Sequence, residues 1–210
     1  MHSRESGHHG GRAQELRRRI ALEAARLMSE HGIRDFHLAK RKAAERLGAG
    51  DDVGLPKNSE IEDALREHQR LFQAEEQPAR LRRLREVARE AMRFFARFQP
   101  RLVGSVLEGT ADRHSAVCLH LFSDAAEEVV AFLTEQGIPY EEQNRRLRTS
   151  HDAQHEYPVL LFSADEVAID LTVLPVDAIR QAPLDRIGDR PMRRAAMPAL
   201  EELLAEQSSR

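Results

Sequence analysis

Gly104, Ser105 and Gly109, followed by a run that opens at Ser115, form the part of this 210-residue chain whose residue types and spacing point most directly to chemistry. The segment from Leu102 to Leu121 reads LVGSVLEGTADRHSAVCLHL. Its apolar run stops at Gly104-Ser105. A glycine there lets the backbone approach a phosphate, and the serine beside it offers a hydroxyl and an amide to the anion; the simpler alternative is a turn that ends a strand. Further on, Asp170 in VAIDLTV is an acid inside an otherwise apolar strand. A buried carboxylate is costly without a partner, so Asp170 must either ligate something or pair with an Arg or His. His114, Ala116, Cys118 and His120 alternate, which on a strand places them on one face. With Asp170 opposite they would offer zinc a thiolate, two imidazoles and a carboxylate, or form a thiol–imidazole pair with His120 as base. Ordinary packing of a small, buried cysteine is the competing expectation.

The spacing Gly104-Ser105…Gly109…Ser115 resembles the signature of the polymerase-β-like nucleotidyltransferases: G-S-x-x-x-G, a short spacer, then S-D-x-D-L on a strand. The resemblance spans roughly residues 98 to 175 and implies that Gly104, Ser105 and Gly109 hold the phosphates of a nucleotide. In that family, paired aspartates and a third carboxylate on a later strand hold metal ions that neutralise phosphate charge and align the reacting oxygens. Asp170 matches the third acid. The paired positions are Ala116, which has no ligand atom, and Cys118, whose soft thiolate magnesium does not favour. The resemblance thus implies a nucleotide-binding scaffold that is catalytically degenerate, with Asp170 as the remnant acid and possible partners being a nucleotide, a nucleic acid or a protein acceptor. Mg2+ with a nucleoside triphosphate is the implied cofactor pair, and the two lost ligands put its metal dependence in question. An active transferase with relocated ligands, using Asp170 with Asp112 or Glu108, is the alternative.

The elements that must position these residues follow from the hydrophobic pattern. Apolar residues recur at helical spacing from Ala13 to His31; Asp35 is placed to cap a second helix, Asn58 or Ser59 a third, and Pro78 begins a fourth. After Pro100 the pattern changes to strands, expected at 101–107, 116–122, 140–143, 145–150, 157–162 and 167–174. A helix is expected at 124–136, capped by Asp124 with Glu127 completing a capping box, and Pro198 opens a last helix. The turn 163–166 reads as a hairpin connection. The expected class is α+β: a disordered tail over 1–12, a helical domain over 13–98, and over 99–210 a nucleotidyltransferase-like mixed β-sheet with flanking helices.

The early helices resemble those of TetR-type helix-turn-helix regulators, with an alanine-rich first helix, a glycine at its end and a short second helix. That resemblance implies DNA contact through Lys40, Arg41 and Lys42. A bundle scaffold is the alternative, and the net charge of −3 gives no global attraction to nucleic acid. His151-Asp152 with His155 reads as a solvated loop. The single cysteine fits a reducing compartment, and the opening MHSRESGHHGGR lacks the apolar core of a secretory signal, so a cytoplasmic, non-membrane protein is expected.

Overall fold

The computed structural model describes residues 6–49, 54–72, 76–150, 152–185 and 190–208. The chain separates into two compact units, Met1–Ala74 and Glu75–Arg210. The architecture is α+β: a helical N-terminal region followed by a mixed sheet flanked by helices. Among the described residues no helix is long and apolar enough to cross a membrane.

In the first unit, α1 (Ser6–His31), α2 (Phe36–Arg46) and α3 (Asn58–Phe72) pack around Ile20, Ala24 and Leu27 of α1, Ala39 and Ala43 of α2, and Ile61 of α3. The small alanines let the first two helices approach closely, so the core is built from modest side chains. Asp35 caps α2 as expected, its Oδ1 accepting the Leu38 N–H at 2.8 Å. The Lys57 N–H donates to Glu60 Oε2 at 2.6 Å at the start of α3, and the same carboxylate accepts from Arg17 of α1 at 3.0 Å. Of the expected tail, residues 1–5 lie outside the described residues, and from Ser6 the chain is already in α1. Residues 50–53, between α2 and α3, also lie outside them.

The second unit opens with α4 (Glu76–Phe94), whose stripe of Leu84, Val87, Ala88 and Met92 lies in the same buried cluster as the sheet residues. The division between units therefore precedes Pro100, where the sequence pattern turns from helix to strand. The strands are β1 (Arg101–Val103), β2 (Val117–Phe122), β3 (Glu141–Arg148), β4 (Gln154–Ala164) and β5 (Val167–Leu174), in spatial order β1-β2-β5-β4-β3. Only β2 and β5 run parallel; the other neighbours are antiparallel. A short helix, α5 (Ser105–Glu108), follows β1, while α6 (Ala126–Glu135) and α7 (Met197–Ser208) complete the unit.

Strand alternation gives the sheet two chemically different faces. Leu102, Val117, Leu119, Leu121, Ile169, Leu171 and Val173 point into the core shared with α4, α6 and α7. On the other face, Arg101 stands opposite His120 and His120 opposite Thr172; in the next row Val103, Cys118 and Asp170 are aligned. A small apolar cluster of Phe122, Leu147 and Leu174, with Tyr157, Ala178 and Ile179 packed against it, closes one part of this second face.

Four local expectations are corrected. The strand expected over 101–107 stops at Val103, because Gly104 takes φ 74°, ψ −158° and turns the chain into α5. The two segments 140–143 and 145–150 are one strand, β3, paired continuously with β4 from Glu141↔Leu161 to Arg148↔Gln154. Its charges mark a sheet edge rather than an interruption. The expected connection at 163–166 narrows to Asp165-Glu166, whose φ values of 49° and 64° make the left-handed turn that suits a two-residue hairpin. Asp124 does not cap α6: its Oδ1 accepts the Val176 N–H at 2.9 Å, and Ser123 Oγ donates to Glu128 Oε2 at 2.7 Å in place of the expected Glu127 contact.

Candidate functional site

The Gly104–Gly109 segment crosses from β1 to the loop before β2 and is held from beneath by α4. Arg85, a buried guanidinium, donates through Nε to the Val106 carbonyl at 3.3 Å, and Gln77 Nε2 donates to the Gly109 carbonyl at 2.8 Å. Gly104 lies over Cys118: a Cβ built on it would meet the Cys118 Cβ at 3.7 Å, an ordinary contact. Its constraint is therefore the backbone, since φ 74° with ψ −158° is a region that essentially only glycine occupies. Gly104→Ala is expected to lose about 1–3 kcal/mol in urea unfolding; a loss under a few tenths would show that the turn relaxes freely.

Ser105 Oγ donates to Ser115 Oγ at 3.3 Å. Ser115 Oγ donates in turn to Asp112 Oδ1 at 3.1 Å and accepts the Asp112 N–H at 2.8 Å, while the His114 N–H donates to the same Oδ1 at 2.8 Å. Asp112 is only 3% exposed and turns its carboxylate onto its own loop. Glu108 pairs with Arg193 at 3.4 Å. The relocated cage of Asp170, Asp112 and Glu108 is not gathered: among the described residues no group of three or more His, Cys, Asp or Glu could hold a metal ion.

Asp170 lies on β5 opposite Cys118 of β2, and its carboxylate is clamped by Arg145. Arg145 stands on the edge strand β3 and reaches over β4. Its Nη1 donates to Asp170 Oδ1 at 2.9 Å, its Nη2 to Oδ2 at 2.7 Å, and Nη1 also reaches Thr172 Oγ1 at 3.1 Å. This two-pronged bond raises the affinity of Arg145 for its proton, the hydrogen bond outweighing burial. The partner that the sequence demands for Asp170 is thus an arginine distant along the chain.

His120, 2% exposed, accepts through Nδ1 from Arg194 Nε at 3.2 Å, which leaves the proton of the neutral ring on Nε2. Burial, and after it the charges of Arg194 and Arg145, push this imidazole down to about 3 from its ordinary 6.5. Such a ring is a poor base at neutral pH. His114 precedes β2 and accepts from its neighbour Arg113 at 3.0 Å. The four-ligand zinc arrangement is therefore not assembled.

Arg194 and Arg101 complete the polar face. Arg194 lies over the Phe122 ring at 5.2 Å and donates through Nη1 to the Ala178 carbonyl at 2.7 Å, while its Nη2 is buried without a partner. Burial, then Arg101, lowers it to about 10 from 12.5, opposed by Tyr157. Arg101 donates to the Gln99 and Pro100 carbonyls at 3.0 Å. Sequence reasoning missed these arginines. The one available signal was the demand of Asp170 for a cation; nothing in the local pattern marks Arg194 or Arg101.

The remaining candidates lie elsewhere. On α2, Arg41 and Lys42 are exposed, whereas Lys40 is half-buried and is lowered by burial, with Glu60 opposing and Arg17 assisting. Three consecutive helical residues fan through about 200°, so they do not share one exposed face. His151 lies outside the described residues; His155 is exposed on β4. No family model and no curated protein matches this chain.

Proposed function

We propose that this protein is nucleotidyltransferase-like, binds the phosphates of a nucleotide beside the Gly104–Gly109 segment, and has lost metal-dependent transfer. The observation that carries this reading is the alignment of Cys118 with Asp170 on parallel neighbouring strands, next to Gly104, with the Asp170 carboxylate held by Arg145. The strand order supports it, because β1, which leads into Gly104, lies beside β2, and β2 beside β5, so that Gly104, Cys118 and Asp170 are neighbours. Gly104, Ser105 and Gly109 are the phosphate-binding positions in this reading, and a nucleic acid or protein is the further partner. The single Cys118 suits a reducing cytoplasm.

The residues do not fit magnesium. The ion requires several hard oxygen ligands in near-octahedral geometry. Ala116 supplies none, Cys118 a sulfur, and both oxygens of Asp170 accept from Arg145.

The reading is tested by restoring the missing acids. Ala116→Asp with Cys118→Asp, in an Arg145→Gln background that releases Asp170, is expected to raise Mn2+ affinity at least tenfold over wild type. Electron paramagnetic resonance titration of free Mn2+ measures this directly. Unchanged affinity in a folded triple variant would mean that these positions do not converge as a former metal site, and the reading would fail.

A further inference from the structure

The two edges of the sheet are not equally covered. At β1, Leu102 exchanges backbone hydrogen bonds with Ala195, 2.9 Å in each direction. At β3 no further strand is paired among the described residues. The direction of its backbone groups follows from the hairpin to β4, because opposite residues of an antiparallel pair alternate between bonded and unbonded pairs. The Thr149 N–H donates to the Ala153 carbonyl at 2.9 Å, straight across the continued register, so the odd-numbered residues of β3 bond to β4. Pro158, which has no N–H to give, stands opposite even-numbered Asn144. Glu142, Asn144 and Arg146 therefore turn their N–H and C=O groups outward. The Arg148 carbonyl is met by the Leu184 N–H at 2.7 Å, and there the open stretch ends.

The side chains define what fits this edge. From Glu141 to Arg148 the strand reads EEQNRRLR, acidic at its start and basic at its end. Charge on an edge normally bars pairing with a passing strand. Here the order of charges admits an antiparallel copy of the same strand, whereas a parallel copy would set like charges side by side. We infer that β3 is a homodimer interface, in which Glu142 to Arg146 of two chains pair antiparallel about a two-fold axis at Asn144 and join two five-stranded sheets into one. In this register Glu142 stands opposite Arg146 of the second copy, twice by symmetry, and the outward backbone groups of Glu142, Asn144 and Arg146 all find partners. Glu142, exposed and with no ion-pair partner among the described residues, gains a cation. Moving the register by two residues loses the match: one direction sets Arg145 against itself, the other sets Glu142 against Asn144. A slip of one residue would set outward groups against residues whose own groups face β4. The interface does not depend on the proposed function.

Sedimentation velocity of the full chain over about a hundredfold range of concentration is expected to show a monomer–dimer equilibrium. Glu142→Arg and Arg146→Glu each set like charges across the axis, and each is expected to weaken dimerisation at least tenfold. Both positions are exposed, and the Arg146–Glu156 pair has side chains 74% and 52% exposed, so the monomer keeps its fold. An equimolar mixture of the two variants is expected to recover a dimer, because each new charge then faces its opposite; loss of fold would not be repaired in this way. Asn144→Pro removes an outward N–H that β4 does not use, and is expected to give a folded monomer. A wild-type chain that stays monomeric throughout overturns the proposal and leaves the edge to some other strand. A dimer that persists in Glu142→Arg and Asn144→Pro overturns it too, since the contact then lies elsewhere on the chain. Failure of the mixed variants to associate overturns the register on which the interface rests.

Discussion

Replacing Arg145 by methionine is expected to destabilise the protein by about 3 kcal/mol, far more than an ordinary surface ion pair is worth. The asymmetry of the pair is the reason. The Asp170 side chain is 12% exposed and that of Arg145 32%, so loss of the arginine leaves a mostly buried carboxylate with no cation, whereas loss of the aspartate leaves an arginine that can turn to water. Thr172 loses a donor at the same time. Partial access of solvent places the expected cost at the lower end of the range for broken buried pairs, which is about 3–5 kcal/mol. Asp170→Asn should cost only about 1 kcal/mol, and Arg145→Met combined with Asp170→Asn should recover most of the loss of the first variant. Urea unfolding of the four proteins closes the double-mutant cycle. A coupling below about 0.5 kcal/mol would place the pair among surface contacts and remove the physical basis for calling Asp170 occupied.

The second large effect is a loss of stability in acid that traces to His120. This imidazole is neutral in the folded protein and held down to about 3, against 6.5 when exposed. Between those values the unfolded chain binds a proton that the native protein refuses, so stability falls as pH falls. The contribution is fully present above about pH 6.5 and is lost progressively towards pH 3, at about 1.4 kcal/mol per pH unit and about 5 kcal/mol in all. Burial is the main cause; Arg194, which already donates to Nδ1, and Arg145 add to it. His120→Asn keeps an acceptor for Arg194 and removes the titration. Its unfolding free energy, measured from pH 8 to pH 4.5, should decline less steeply than that of wild type by one proton. Parallel curves for the two proteins would mean that His120 protonates without opening the sheet.

Local physics made part of this fold readable in advance. Asp35 caps α2 because the side chain and the amide it meets are three residues apart. β5 runs from Val167 to Leu174 as expected because an apolar segment bounded by a tight turn has few other options. The need of Asp170 for a partner was also legible, since the cost of an unpaired buried charge holds in any fold. What was not legible depends on distant residues. Asp124 abandons α6 for an amide 52 positions later, and the Arg145 clamp spans 25 positions. Arg194 reaches His120 across 74. Asp112 reads as a spare ligand because it lies in the loop between the glycine-serine turn and the next strand, yet that loop folds around the carboxylate. Nothing local joins 140–143 to 145–150, because Glu141 to Arg148 carries little apolar pattern, being an edge strand whose burial is mostly at Leu147.

The proposed function stands or falls on phosphate binding to this sheet without a metal. Calorimetric titration of the full chain with each of the four ribonucleoside triphosphates, once in EDTA and once in excess magnesium, tests it most directly. At least one triphosphate is expected to bind in EDTA with an affinity that magnesium changes less than threefold. Binding that appears only with magnesium, or no binding by any of the four, would contradict the account.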